Sequence, residues 1–167
     1  MSYEVRPLCN GDLQSVTEIF NAACQAREST HGMRLWTVEQ MGQFLFEARP
    51  VFESYACVDK GVVVGWTALT RHHVREGYKH TAEISLYVKP SARRNGMGSA
   101  LAKTILNRAS ALELHCILAI VFKDMPDVVS FAAKKFGFVP AACLPEAFPD
   151  KDRYFDILIL EKIVDAK

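Results

Sequence analysis

Apolar positions along this chain change their period several times, and the changes mark out elements. Tyr3–Leu8 predicts a short strand. Leu13, Val16, Ile19, Phe20 and Ala23 then recur at helical spacing, behind Asn10 or Asp12 as a cap. A second helix is predicted from Thr37, where Thr37 and Gln40 stand at capping-box spacing and Met41, Phe44, Leu45 and Ala48 form one apolar face. The stretch between them, Arg27–Trp36, has no period and reads as a loop.

Three strand-like segments follow. Ser54–Val58 and Val62–Thr70 flank Asp59-Lys60-Gly61, a good hairpin turn. After a polar stretch, Arg71–His80, the segment Thr81–Val88 alternates, with Ala82, Ile84, Leu86 and Val88 on one face and Glu83, Ser85 and Tyr87 on a polar one. Met97, Leu101, Ile105, Ala109 and Leu112 predict a helix over Gly96–Leu112. The continuous apolar run Cys116–Phe122 fits a strand buried on both faces. Asp127–Phe136 predicts a shorter helix stopped by Gly137, and Phe138–Cys143 and Arg153–Glu161 predict the last strands. The order βααβββαβαββ, strands first and βα alternation later, argues for an α/β sheet of mixed direction.

Composition narrows the reading. The 167 residues fit one compact domain, 1–167, able to bury roughly 70% of its unfolded surface. With 20 basic and 19 acidic residues the net charge is +1, which gives no electrostatic reason to expect nucleic acid or an anionic membrane as partner. Cys9, Cys24, Cys57, Cys116 and Cys143 are scattered and odd in number, which argues against a disulfide framework or a zinc site; Cys57 and Cys116 read as buried small hydrophobes. The N-terminal segment lacks the apolar core of a secretory signal, and the longest apolar run is far short of the roughly 20 residues of a membrane helix. A cytoplasmic protein is expected.

The chemistry concentrates in Arg93-Arg94-Asn95-Gly96-Met97-Gly98-Ser99, after a strand and opening a helix. First-turn amides have no intrahelical acceptor and the helix dipole favours an anion there. Gly96 and Gly98 let a phosphate approach the backbone, and two arginines add donors: in physical terms, a diphosphate cradle. The alternative is a basic loop that merely turns the chain. Neither the Walker loop nor the GxGxxG dinucleotide pattern is present.

Arg93-x-x-Gly96-x-Gly98 resembles the Arg/Gln-x-x-Gly-x-Gly/Ala signature of the GNAT superfamily of N-acetyltransferases, at the matching strand-to-helix junction. Tyr78-Lys79-His80-Thr81-Ala82-Glu83-Ile84-Ser85-Leu86-Tyr87-Val88 is similar to a segment of its phosphinothricin and methionine sulfoximine acetyltransferases, as are Val64-Gly65-Trp66 and Arg153-Tyr154-Phe155-Asp156. The resemblance spans nearly the whole chain. It implies the GNAT fold: a central, mixed, mostly antiparallel sheet of about seven strands, with four helices on both faces. It implies acetyl-CoA as cosubstrate, without metal, and a small-molecule amine as acceptor. The diphosphate would lie against Arg93, Arg94, Asn95, Gly96, Met97, Gly98 and Ser99, and the pantetheine arm against Leu86, Tyr87 and Val88. Relatives are commonly homodimers.

Acetyl transfer needs a neutral amine, and a carboxylate can take its proton. The resemblance makes Glu83 that general base; from the strand pattern alone it could equally be an ion-paired residue on a half-exposed strand. Tyr78 and Lys79 would meet the substrate carboxylate, whereas His72 and His73 are expected as solvated loop residues. Where the family has an asparagine and, further on, a His or Tyr acid, this chain aligns Pro126 and Ala133, with Asp127 a candidate replacement at the cofactor. A coenzyme A thiol, with a pKa like that of Cys near 8.5, leaves without strong acid help. Glu28-Ser29-Thr30-His31 follows the family's substrate loop only loosely, and Met33, Leu35 and Trp36 add apolar bulk. Two other functions fit the same residues: a non-catalytic acyl-CoA-binding module, and an acetyltransferase of peptides or proteins.

Overall fold

The computed structural model describes residues 3–30, 32, 34–47 and 51–164. Ala48, His31 and Met33, named above, lie outside them. The elements are β1 (Tyr3–Pro7), α1 (Leu13–Gln25), α2 (Val38–Gly42, continued as a π turn over Gln43–Glu47), β2 (Val51–Asp59), β3 (Val62–Arg71), β4 (Thr81–Val88), α3 (Met97–Leu106), β5 (Cys116–Phe122), α4 (Pro126–Phe136), β6 (Val139–Asp150) and β7 (Arg153–Ile163). The order is the one the hydrophobic pattern predicts.

Seven strands form one sheet in the order β1-β2-β3-β4-β5-β7-β6. Every neighbouring pair is antiparallel except β4–β5, which α3 joins as a crossover. Helices α1 and α2 cover one face, where Val16, Ile19, Phe20, Met41 and Leu45 pack on Ala56, Trp66 and Ala68. Helices α3 and α4 cover the other, where Leu101 packs near Cys57 and Val88, and Ile105 and Ala132 pack near Leu69, Ala82, Ile117 and Ala119. The mixed seven-stranded sheet with four helices on both faces is thus observed.

Local signals hold where the chemistry is short-range. Thr37 and Gln40 form the reciprocal capping box. Lys60 (φ 49°) and Gly61 (φ 79°) make the two-residue turn between β2 and β3. Gly137, at φ 71°, ends α4 as read.

Six expectations are corrected. The chain enters α1 through a 3-10 turn, Asn10–Asp12, and Asp12 does not cap the helix. Its carboxylate turns back to accept the Cys9 N–H (2.9 Å) and both Arg6 nitrogens (2.7 and 2.8 Å). Helix α3 stops at Leu106, not Leu112. Tighter turns then let Ala109 O accept the Leu114 N–H, delivering buried Leu114 to β5 while Ala109 keeps its buried place. Strand β2 starts three residues before Ser54, at Val51. Strand β6 runs on through Pro145 and Pro149 to Asp150. An edge strand tolerates prolines whose missing N–H would face outward, and the register slips at Pro140/Ala142 and Leu144/Phe148 absorb them. The Glu83–Ser85–Tyr87 side of β4 is not a polar exterior: Ser85 is buried, and Tyr87 packs on Phe20 and Trp66. Cys116 is half-buried, whereas Cys57 is fully buried as expected. No described helix is long and apolar enough to cross a membrane.

Candidate active site

The parallel pairing of β4 with β5 is brief. Thr81, Ala82 and Glu83 pair with Cys116, Ile117 and Leu118, and there it stops. Strand β4 stays registered to β3 as far as Val88, and β5 to β7 as far as Phe122. The two central strands therefore diverge, leaving a wedge whose apex is Glu83 and whose walls no longer pair with each other. A groove of about 700 Å³ fills it. Glu83–Val88 and Ala119–Val121 form its walls, α3 and α4 its flanks, and Glu28–Thr30 its cover.

The start of α3 closes the wide end. Gly96, the residue before the helix, has φ 82°, a left-handed conformation that disfavours a Cβ. The chain thereby turns into α3 at the groove, which Gly96, Gly98 and Ser99 all line. Gly65 sets how closely α3 and β4 approach. A Cβ there would lie 2.8 Å from the Tyr87 carbonyl oxygen, 3.1 Å from Val88 Cγ2 and 3.2 Å from Leu101 Cδ1.

The arginines divide. Arg94 lines the groove in a left-handed conformation (φ 62°). Arg93 also lines it, but its guanidinium is committed: Nη1 donates to Glu28 Oε1 at 2.9 Å, Nη2 to Oε2 at 2.5 Å, and Nε to the Val88 carbonyl at 3.0 Å. Hydrogen bonding to Glu28 holds its pKa above the ordinary arginine value. Asn95 is exposed and outside the groove lining, and Met97 points into the core beside Leu101, so these two can serve a ligand only through their backbone.

The loop after α1 straps the wedge. Glu28 holds Arg93, Ser29 Oγ lies 2.8 Å from Tyr87 Oη on β4, and Thr30 Oγ1 donates to the Ile120 carbonyl of β5 at 3.1 Å. Three consecutive side chains thus tie both walls and the basic loop together. Burial pushes the Tyr87 phenol above its ordinary pKa, against the Ser29 hydrogen bond, so it stays protonated.

Glu83 is about a quarter exposed, and His72 Nδ1 lies 2.6 Å from its Oε1. The expectation of a solvated His72 is corrected; His73 is exposed as expected. Tyr78 and Lys79 stand outside the groove lining. Tyr78 packs against both histidine rings, and Lys79 lies 3.9 Å from Glu76 in an exposed pair. Asp127 lines the groove in the first turn of α4.

Sequence reasoning missed the contribution of α4. Val128, Phe131, Ala132 and Lys135 line the groove, and Lys135 Nζ donates to Ser99 Oγ at 3.2 Å, adding a cation at the α3 end. Their i, i+3, i+4, i+7 spacing was the available signal. Among the described residues no cluster of three or more His, Cys, Asp or Glu stands ready to hold a metal.

This geometry, a glycine-started helix facing the splay of two parallel strands, coincides with a match to the model of the "Acetyltransferase (GNAT) family" over residues 13–138. The chain belongs to that family. An L-methionine sulfoximine/L-methionine sulfone acetyltransferase of Salmonella typhimurium is 24% identical, over 92% of this chain and 90% of that one. Among solved structures, a GNAT superfamily phosphinothricin acetyltransferase from Sinorhizobium meliloti, crystallised with acetyl-CoA, superposes with a TM-score of 0.88 at 21% identity. The match covers 98% of this chain and 89% of that one. A ribosomal-protein-alanine N-acetyltransferase from Brucella melitensis reaches a TM-score of 0.90 at 24% identity, over 96% and 99% of the two chains. At these identities the GNAT acetyltransferases share the fold of this one.

Proposed function

We propose that this GNAT acetyltransferase moves an acetyl group from acetyl-CoA to the primary amine of a small molecule, an amino acid or amino-acid analogue of the phosphinothricin or methionine sulfoximine type. One observation carries the reading: Glu83 is the last β4 residue paired with β5, so the only carboxylate on β4 sits where the wedge begins.

The residues fit the cosubstrate. Amides at the start of α3, with Arg94 and Lys135 nearby, suit a diphosphate. The β4 edge over Leu86–Val88, no longer paired with β5, suits an arm with amides of its own, and Asp127 lines the same groove. Bound acetyl-CoA supplies an activated acyl carbon and a thiolate leaving group. Glu83 would accept the amine proton, and an amide of the splayed β4 edge would donate to the carbonyl oxygen as charge develops.

Isothermal titration with acetyl-CoA, run beside thiol-release assays over an amino-acid panel, tests this. Saturable binding, turnover with some amine, and a Glu83→Gln rate loss at unchanged acetyl-CoA affinity are expected. Failure to bind at millimolar concentration refutes the reading.

A binding-only module is the second reading. The groove-facing residues of α4 (Asp127, Val128, Phe131, Ala132, Lys135 and Phe136) include no Asn, His or Tyr. Binding without thiol release from any amine would favour it. The homodimer reading draws on β6, an edge strand exposed over most of its length, with Val139 and Leu144 about half exposed. Sedimentation equilibrium decides it.

A further inference from the structure

We propose that His72 is a positioning residue for Glu83, holding the carboxylate oriented toward the groove and making the reaction sensitive to its own protonation. This rests on the reading of Glu83 as base and adds to it a residue that the motif does not contain.

The hairpin geometry brings the two side chains together. Thr70 on β3 pairs with Glu83 on β4. His72 follows Thr70 by two residues, and its N–H still bonds the Thr81 carbonyl at 3.3 Å. Residues two apart share a face of a strand, so His72 is the diagonal cross-strand neighbour of Glu83. Its ring is also supported from behind. Tyr78 meets it edge-on at 5.7 Å, and Tyr78 is itself packed against His73 at 5.4 Å.

The pairing dictates the tautomer. An ionised carboxylate only accepts hydrogen bonds, so at 2.6 Å the facing ring nitrogen must carry the proton. Nδ1–H then occupies Oε1 and leaves Oε2 for the amine. A base held in one orientation loses less entropy on the way to the transition state than one free to rotate.

The electrostatics follow. The groups against the imidazole are Glu83 from β4 and Tyr78 from the loop; Arg75, Glu76, Lys79 and His73 of that loop are exposed to solvent. A neutral His72 orients Glu83 without taking its negative charge. An imidazolium ion-pairs with it and weakens it as a base. Protonating His72 therefore lowers the rate by more than protonation of the amine alone explains.

The experiment pairs His72→Phe, which keeps a ring against Tyr78 but removes the donor, with His72→Asn, which restores an N–H donor that does not titrate. Each is made in the wild type and in Glu83→Gln, and assayed for thiol release with L-methionine sulfoximine across about pH 5.5–9, where histidine side chains change charge. His72→Phe is expected to lower kcat on the order of tenfold, the effect of losing a hydrogen bond to a charged group, with the KM for acetyl-CoA unchanged. His72→Asn is expected to recover most of the rate and to lose the extra low-pH limb. In Glu83→Gln, His72→Phe is expected to cost nothing more, because its effect runs through the carboxylate. A wild-type rate in His72→Phe, when Glu83→Gln is impaired, overturns the proposal, as does an equal loss in both backgrounds. An unaltered pH profile in His72→Asn overturns it even if His72→Phe fails to fold. A wild-type rate in Glu83→Gln instead removes the underlying reading of Glu83, and that arm alone identifies it.

Discussion

Gly65→Ala tests whether the site is built by the close approach of β3, β4 and α3. Gly65 has an ordinary negative φ, so the substitution brings no dihedral strain, and by itself it should stabilise by about 0.4–1 kcal/mol through the unfolded chain. Packing opposes this. The new Cβ would sit 2.8 Å from the Tyr87 carbonyl oxygen, which is backbone held in the β3–β4 ladder by the Trp66–Tyr87 register and cannot move alone. It would also press on Val88 at 3.1 Å and on Leu101 at 3.2 Å. Overpacking of this kind costs about 1–3 kcal/mol, so the net is a destabilisation of about 1–2 kcal/mol. For a chain of this length that is a Tm about 3–6 °C lower. The relief available is for β4 to shift toward the wedge or for α3 to lift. Either displaces Leu86–Val88 against the first turn of α3, so the KM for acetyl-CoA should rise severalfold while the KM for the amine changes little. Thermal melts and thiol-release kinetics read both. A Tm equal to or above the wild type, the sign expected from the unfolded-state effect alone, would refute the argument that this contact sets the spacing of the site.

Three further outcomes follow from the same contacts. Thr30→Val, which removes the bond to the Ile120 carbonyl, should cost about 1 kcal/mol and raise the KM for the amine more than that for acetyl-CoA; equal KM values for mutant and wild type would deny the strap a role. Lys135→Ala should weaken acetyl-CoA binding and flatten its dependence on salt, as read by titration at two ionic strengths. Hydrogen bonding by Arg6 holds the Asp12 pKa at about 2 against its ordinary 3.8, a depression that gives about 2 kcal/mol of stability above pH 4, lost as pH falls from there toward 2. Urea midpoints of Asp12→Asn and the wild type should therefore differ at pH 7 and converge near pH 2.

What the sequence disclosed was governed by short-range chemistry. The capping box at Thr37 and Gln40, the Lys60-Gly61 turn, the alternation of β4 and the stop at Gly137 each need only a few neighbouring residues. The helix start after Gly96 is of the same kind, because a glycine of positive φ is a local property. The misreadings are equally physical. The run of β6 past Cys143 went unread because nothing local says that this proline-bearing segment is an edge strand. The bond between Arg93 and Glu28 was out of reach because its partners are 65 residues apart. Thr30 and Ile120 are 90 residues apart, and no periodicity links them. His72 and Glu83 are only 11 apart, but their contact depends on the register across a hairpin with an irregular loop, which the two histidines by themselves did not reveal.

The same distinction separates what the fold fixes from what it leaves open. The parts of the groove suited to the cosubstrate are mainly backbone: the unpaired edge of β4 and the first amides of α3. Backbone geometry depends little on most side chains, and a TM-score of 0.90 accompanies 24% identity. The acceptor side is built differently. On the proposed function the amine would meet side chains near Glu83: Glu28–Thr30, which line the groove, and His72, which bonds Glu83 from outside the lining with Tyr78 against its ring. Loops diverge first, which is why a phosphinothricin acetyltransferase and a ribosomal-protein-alanine acetyltransferase superpose on this chain almost equally well. The proposed function therefore predicts that exchanging those two loops, with the sheet and α3 untouched, changes the acceptor without changing the donor, as a thiol-release assay over an amine panel would read.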